Sequence, residues 1–287
     1  MRQNKLDSVL GSGDRVATLQ LDEMTIAYDM EGQGLPLVFI HEVAMDRRLW
    51  VHQRAYFPLR YWTITVDVLG HGEMPWQLSE LSIAQASRRV QQLLERLGTG
   101  PVLLVGASVG AAIALQAVMT VPALVQGLVL VSPWGYPNGN IRNLIDRLFR
   151  LAETGDMAAY IDLLLRYTFP TGSRQQQWLE MARVRELTLA QDGRTVAYAW
   201  AASLAWAASL GVDFRRQLAQ ISVPSLVIAG SLDLCIPPYI SRAVVEGLSD
   251  VRFEVWDEIG HFPFLEDAKR FNQRLEAFIM HHLVQGE

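Results

Sequence analysis

The segment Gly106–Gly110 (GASVG) constrains the fold of this 287-residue chain more than any other. The apolar run before it, 101–105, is typical of a buried β-strand, and the apolar run after it, 111–121, favours a helix. A serine between two glycines at such a turn is the pattern of a nucleophile elbow. The turn is too tight for flanking side chains, and it lifts the serine hydroxyl above the sheet edge. The pattern predicts Ser108 as a nucleophile, with the N–H of Val109 beside it at a helix N-terminus.

Two further strand-like runs each precede a residue that a serine nucleophile requires. The run 225–229 comes before Asp233, and the run 251–255 comes before His261. A serine hydroxyl needs a base to take its proton, and His261 can serve. Asp233 would hold the ring and stabilise its charged form. Taken alone, Asp233 could instead cap the helix that follows, and His261 could be a surface-loop histidine.

The order Ser108, Asp233, His261 and the segments around it resemble the α/β-hydrolase fold superfamily, from about Val16 to Leu283. Four more features agree with this resemblance: the run 37–40 ending in His41, Trp50, the segment 67–73 (DVLGHGE) and Pro237. The resemblance implies an α/β fold with a mostly parallel, doubly wound sheet. The alternation of strand and helix patterns up to residue 131 also favours such a sheet.

The segment after His41 departs from the superfamily pattern. By the resemblance, the backbone N–H of Val43 is the second oxyanion donor, and most relatives have His-Gly where this chain has His41-Glu42. Glycine lets the backbone approach a ligand closely, whereas glutamate adds a side chain and a charge. Two interpretations stay open. Glu42 points away and pairs with Arg47 or Arg48, or it faces the pocket, where it binds a substrate amine or hydroxyl or acts as a second acid/base.

The region 134–212 contains no β-rich run, and helical patterns replace the alternation at about 141–153, 157–167, 173–189 and 194–210. We predict a core of residues 15–133 and 213–287, an inserted helical cap of residues 134–212, and a loose tail of residues 1–14. An insertion there covers the carboxyl ends of the strands, where ligands bind. The charge-free helix at 195–212 is buried on all sides or forms a homodimer contact through the cap. The candidate pocket residues are His41, Glu42, Trp134, Trp200, Trp206 and Phe262.

Composition excludes several other classes of protein. The net charge is −5 and no basic cluster occurs, so no nucleic-acid partner is expected. One cysteine, Cys235, excludes an internal disulfide and suits a reducing, cytoplasmic location, where it would be a small buried residue. No metal-ligand spacing and no G-x-G-x-x-G motif occur, so neither a metal nor a cofactor is expected. The charge-free stretch 101–141 is broken by glycine and proline, which favours buried strands and helices over a membrane span.

These patterns predict a serine hydrolase that cleaves an ester, lactone or thioester of a small, partly apolar substrate through an acyl-serine intermediate. A C–C bond hydrolase, an acyl transferase or a lyase could use the same triad. A non-catalytic protein that binds a small molecule on this scaffold is a third alternative, and Glu42 is the feature in its favour. Haloalkane dehalogenases and epoxide hydrolases are disfavoured, because they place an aspartate where this chain has Ser108.

Overall fold

A computed structural model describes residues 17–21, 24–73, 81–135, 138–169, 177–210 and 214–283. The predicted tail, residues 1–14, lies outside the described residues, as do residue 212 at the predicted cap boundary and residues 173–176 of the third predicted cap helix. The division into core and cap at the predicted boundaries stays a prediction.

Eight strands form one sheet within the described part of the chain, in the order β1-β2-β4-β3-β5-β6-β7-β8. The strands are β1 Ala17–Leu21, β2 Met24–Glu31, β3 Pro36–Ile40, β4 Trp62–Val66, β5 Val102–Ala107, β6 Val125–Val131, β7 Ser225–Gly230 and β8 Val251–Trp256. The pairs β1·β2 and β2·β4 are antiparallel, and all other pairs are parallel. The predicted α/β-hydrolase fold with a mostly parallel sheet is confirmed.

Helices connect the parallel strands, and in the described part of the chain five of them lie between β6 and β7. The helices are α1 Val51–Tyr56, α2 Ile83–Leu97, α3 Val109–Thr120, α4 Gly139–Glu153, α5 Met157–Thr168, α6 Gln177–Leu189, α7 Gly193–Leu210, α8 Phe214–Leu218, α9 Pro238–Val245, α10 Pro263–Glu266 and α11 Ala268–His282. Short 3-10 turns lie at Arg47–Trp50, Phe57–Leu59 and Pro122–Leu124. We call α4–α7 the cap helices.

The part of the charge-free stretch that runs from β5 to the end of β6 forms the centre of the core. Strand β5 and nearly all of β6 are buried, and helix α3 packs between the sheet and α2 with most of its residues buried. Parallel strands covered on both faces need apolar side chains on both faces, which accounts for the lack of charge. Among the described helices, none combines the length and the apolar character that crossing a membrane requires.

The cap helices contact the loops that follow the carboxyl ends of the strands. At the end of α5, the Tyr167 carbonyl accepts hydrogen bonds from the N–H groups of Leu234 and Cys235, after β7. The next carbonyl, that of Thr168, accepts from the N–H of His261, after β8. These backbone bonds fix the end of α5 against both loops that carry the predicted acid and base.

Candidate active site

Ser108 occupies a strained turn between β5 and α3. Its φ is +51°, in the left-handed region that costs energy for any residue other than glycine. A Cβ on Gly106 would collide with the Gly110 carbonyl and lie 2.7 Å from the Ala111 nitrogen. A Cβ on Gly110 would collide with the Ile40 carbonyl at the end of β3. Both glycines are therefore required sterically, one by the turn itself and one by the close approach of β3.

The backbone around Ser108 is tied to the neighbouring strand, while both predicted oxyanion donors lack a protein acceptor among the described residues. The Ser108 N–H donates to the Val131 carbonyl at 2.9 Å, which ties the turn to the end of β6. Within the described residues, the N–H groups of Val43 and Val109 donate to no protein acceptor. Unbonded N–H groups at a helix N-terminus and in the facing loop suit a developing oxyanion. Both predicted donors are thus available.

Asp233 and His261 form a buried hydrogen-bonded pair. The His261 Nδ1–H donates to Asp233 Oδ2 at 2.6 Å. The other oxygen, Oδ1, accepts from the N–H groups of Cys235 and Ile236 at 2.9 and 2.8 Å. Asp233 therefore orients the histidine and also holds the turn that follows β7. The alternative in which it caps the next helix is wrong, because α9 begins after Pro237 and has no side-chain cap.

Ser132 is a site residue that sequence reasoning missed. Its hydroxyl donates to Asp233 Oδ2 at 3.0 Å, and its φ of +45° shows a second strained turn, directly after β6. Asp233 Oδ2 thus accepts from both Ser132 and His261. The position of Ser132 at the end of the strand beside the elbow strand could have indicated this contact.

Glu42 faces His261. Its Oε2 lies 2.9 Å from His261 Nε2, the ring atom that would take the proton of Ser108, and both side chains are buried. Burial by itself lowers the pKa of His261, but the negative charges of Asp233 and Glu42 and their hydrogen bonds outweigh it and raise that pKa well above its ordinary value. His261 therefore lies between two carboxylates that both favour its protonated form. No described residue makes a hydrogen bond to the Ser108 hydroxyl.

The interpretation in which Glu42 points away and pairs with an arginine is wrong. Arg47 pairs instead with Asp29, Asp67 and Glu73. Arg48 pairs with Asp46, at 2.7 Å. Of the two alternatives that the sequence left open, the structure shows the one in which the carboxylate enters the site.

Two histidines hold the loop that carries Glu42 and Val43. His41 Nε2 accepts from the Val68 N–H at 2.9 Å, and His41 Nδ1 donates to the Glu42 carbonyl at 2.7 Å. His71 Nε2 accepts from the Ala44 N–H at 3.0 Å. Burial, together with the neighbouring His41, lowers the pKa of His71 to about 3, which keeps its ring neutral and able to accept. His41, a pocket candidate, thus positions the loop.

Glu266 is a second residue that sequence reasoning missed. Its carboxylate accepts from the N–H groups of Gly260 and Phe262, the two neighbours of His261, at 2.8 and 2.9 Å. The Gln177 side chain of α6 also donates to it, at 2.9 Å. Burial, partly opposed by the two backbone hydrogen bonds, raises the pKa of Glu266 to about 7. Glu266 therefore fixes the histidine loop and joins it to a cap helix.

Gln191, between α6 and α7, joins the cap helices to the loops after β3 and β4. Its amide nitrogen donates to Asp46 Oδ2 at 3.0 Å, and its oxygen accepts from the Gly72 N–H at 2.9 Å. A polar residue in a short link between helices gives no sequence pattern that predicts such a contact.

The aromatic pocket candidates have different places. Phe262 packs edge-on against the His261 ring at 5.1 Å. Trp200 lies in the cap and donates from its indole nitrogen to the Tyr160 hydroxyl at 3.0 Å. Trp206 instead donates to Gln116 on α3 at 2.9 Å, a contact to the core that does not connect it to the predicted triad.

The last pocket candidate is Trp134, and the last residue whose burial the sequence predicted is Cys235. Trp134 follows Ser132 by two positions and is fully buried, and its indole N–H has no partner among the described residues. Cys235 is also buried, and burial together with the charges of Asp233 and Glu42 raises the pKa of its thiol well above the ordinary value. A thiol held protonated is a poor nucleophile, in agreement with the prediction of a small buried residue.

Comparisons with known proteins identify the family. The family model described as "alpha/beta hydrolase fold" matches residues 36–268. A putative carbamate hydrolase of Azorhizobium caulinodans is 24% identical over 252 residues, which cover 88% of this chain and 93% of that protein.

Solved structures agree with this assignment. An esterase from Exiguobacterium antarcticum aligns with a TM-score of 0.82 at 20% identity over 93% of this chain and all of its own. The enol-lactonase from Burkholderia xenovorans aligns with a TM-score of 0.82 at 19% identity, over 92% of this chain and 99% of its own. Because the family model covers most of the chain, the protein is a hydrolase that belongs to the α/β-hydrolase fold family.

Proposed function

We propose that this protein is a serine hydrolase that cleaves an ester, lactone or thioester bond of a small, partly apolar substrate through an acyl-serine intermediate. The observation that carries the proposal is the buried Asp233–His261 pair, in which Nδ1 and Oδ2 are 2.6 Å apart. The pair lies at the carboxyl end of the sheet, where Ser108 directly follows β5. The names of similar proteins, an esterase, an enol-lactonase and a putative carbamate hydrolase, support cleavage at an acyl carbon.

The proposed reaction uses each group once. Ser108 attacks the carbonyl carbon while His261 Nε2 takes the hydroxyl proton, and the N–H groups of Val43 and Val109 bind the oxygen that becomes negative. The same proton then passes from Nε2 to the leaving group. Water attacks the acyl-serine in the reverse sense and frees Ser108. Asp233 keeps the imidazole oriented and stabilises its charged form throughout.

Glu42 imposes one condition on this sequence. His261 accepts the serine proton only when Nε2 carries none, and in the structure Nε2 faces the Glu42 carboxylate at 2.9 Å. The proton shared by this pair must leave Nε2 before Ser108 is activated. This contact also favours a second candidate function, a protein that binds its small molecule on the same scaffold without turnover.

Labelling with a fluorophosphonate probe separates the two candidates, because phosphonylation requires an active serine. We expect wild-type protein to be labelled on Ser108 and Ser108→Ala to be unlabelled, as shown by mass analysis of the modified peptide. Ser225→Ala is the matched control, since this buried serine binds the Val223 carbonyl at the start of β7, the strand end opposite Asp233. Folded wild-type protein that is not labelled at any pH up to 9 would overturn the hydrolase mechanism and favour the binding protein.

A further inference from the structure

The Glu42 carboxylate has an oxygen that the rest of the protein does not use. Oε2 lies on His261 Nε2, whereas Oε1 has no hydrogen-bond partner among the described residues. The side chain is only 6% exposed. A carboxylate oxygen that has little contact with water and no protein donor favours a ligand that can donate to it. Because Glu42 precedes the oxyanion donor Val43, that missing donor would come from a group close to the scissile carbonyl.

We propose that Glu42 is a subsite for a positively charged nitrogen, so that the substrate is an α- or β-aminoacyl ester, lactone or thioester. This inference rests on the proposed function, because it places the ammonium beside the acyl carbon that Ser108 attacks. It assigns to Glu42 the role of a specificity-determining residue.

The charge balance of the site favours a cation. Asp233 and Glu42 carry two negative charges, and His261 carries one positive charge. The other titratable neighbours are the Cys235 thiol, the Tyr160 hydroxyl and the Glu266 carboxyl group. Burial raises the pKa of all three, that of Glu266 to about 7, so Cys235 and Tyr160 stay neutral and any charge on Glu266 is negative. The nearby arginines, Arg47 and Arg48, are paired with other carboxylates, as described above. A substrate ammonium would therefore approach side chains whose net charge is negative.

The surroundings of Glu42 also suit an ammonium group. The Tyr160 hydroxyl lies close enough for the charge of Glu42 to add to the effect of burial on its pKa, and Tyr160 is itself held by Trp200. Phe262 packs edge-on against His261, the ring that the Glu42 carboxylate contacts. A neutral acyl group placed at Glu42 would lack the charge interaction that an ammonium gains there.

Binding of the ammonium would also activate the base. When the ammonium pairs with Glu42, it replaces the Nε2 proton of His261 as the counter-charge, and that proton is released to water. The neutral Nε2 then accepts from Ser108. Atoms and charge balance, because one cation arrives at the carboxylate and one proton leaves the imidazolium. With a neutral substrate, Nε2 loses its proton only as the pH is raised, so recognition and activation are coupled at neutral pH.

Hydrolysis of isosteric esters tests the specificity. The ethyl ester of β-alanine and ethyl butyrate differ only by an ammonium in place of a terminal methyl group. We expect wild-type protein to prefer the β-alanine ester by at least tenfold in kcat/KM, measured by pH-stat titration. In Glu42→Gln this ratio should fall at least tenfold. Glu153→Gln, which removes an equal charge from the exposed end of α4, should keep the wild-type ratio.

A binding measurement on Ser108→Ala tests the subsite without turnover. Titration with propylammonium chloride in two buffers of different ionisation heat reports the protons released. We expect binding with release of up to one proton at pH 7, and neither binding nor release in Ser108→Ala/Glu42→Gln. 1-Propanol is the neutral control and should release none.

The two experiments separate the two proposals. Labelled, active enzyme with a kcat/KM ratio near one that Glu42→Gln leaves unchanged would overturn the ammonium subsite and leave the acyl-serine mechanism intact. Protein that hydrolyses neither ester but binds propylammonium with proton release would overturn the hydrolase mechanism and support the subsite. Propylammonium binding that is equal with and without Glu42 would overturn the subsite on its own.

Discussion

Replacement of Glu266 by glutamine tests whether the folded protein favours the protonated, neutral form of this side chain. Glu266 joins the two backbone N–H groups beside His261 to the Gln177 side chain of the cap. Burial dominates these contacts and raises its pKa from 4.5 to about 7. A raised pKa for an acid means that the folded protein holds the proton more tightly than the unfolded chain. The stability from this group is complete below pH 4.5 and is lost as the pH rises through 7.

The size of the effect follows from the two pKa values. At 1.36 kcal/mol per pH unit, the difference between 4.5 and about 7 corresponds to about 3 kcal/mol of unfolding free energy. Most of this, about 2.5 kcal/mol, is lost between pH 5 and pH 8. Glutamine does not titrate, so the unfolding free energy of Glu266→Gln contains no such pH-dependent contribution. The hydrogen-bond acceptor removed by the substitution costs about 1–3 kcal/mol at every pH and cancels in the comparison.

Urea denaturation at pH 5 and pH 8 measures the effect directly. We expect the free energy of unfolding of wild-type protein, relative to Glu266→Gln, to be about 2.5 kcal/mol lower at pH 8 than at pH 5. The control is Glu153→Gln, at an exposed position on α4, which should show no such change relative to wild type. Parallel stability curves for wild type and Glu266→Gln would refute the assignment of a raised pKa to Glu266.

Two other substitutions test the frame of the site. Gly110→Ala places a Cβ 2.7 Å from the His41 carbonyl oxygen and closer still to that of Ile40. We therefore expect the free energy of unfolding to fall by about 1–3 kcal/mol and fluorophosphonate labelling to slow at least tenfold. Labelling at the wild-type rate would contradict this. Ser132→Ala removes one donor from Asp233, and we expect unfolding free energy to fall by about 1 kcal/mol and kcat/KM for ester hydrolysis to fall about tenfold. An unchanged kcat/KM would show that Ser132 does not support Asp233.

The elements that could be predicted from sequence are those that local chemistry determines. Helix α2 begins after Ser82, whose side chain accepts from the Gln85 N–H, and ends at Gly98 with φ +64°, as its cap residues indicate. The elbow could be predicted because only glycine fits on both sides of Ser108. Such features depend on residues a few positions apart, so the sequence displays them directly.

The features that sequence analysis missed depend on contacts between distant segments. The orientation of Glu42 is determined by His261, 219 positions away in the chain. The hydrogen bond from Ser132 to Asp233 spans 101 positions. The bond from the Gly260 N–H to Glu266 spans only six, but it forms only because the loop that carries His261 folds back on Glu266. The lack of charge around Trp206 predicted burial but not its contact with Gln116 on α3. In each case the pattern gives the environment, and only the fold gives the partner.

The glutamate at position 42 changes the charge of the site without changing its frame. Its backbone φ is not in the left-handed region, so a side chain costs no backbone strain there. The surrounding loop is held by His41 on Val68 and by His71 on Ala44, and none of these bonds uses the Glu42 side chain. The bonds that hold the loop around Val43, the proposed oxyanion donor, thus do not depend on the Glu42 side chain. What Glu42 adds is a second carboxylate on His261, the proposed base, and the proposed chemistry depends on how that charge is neutralised.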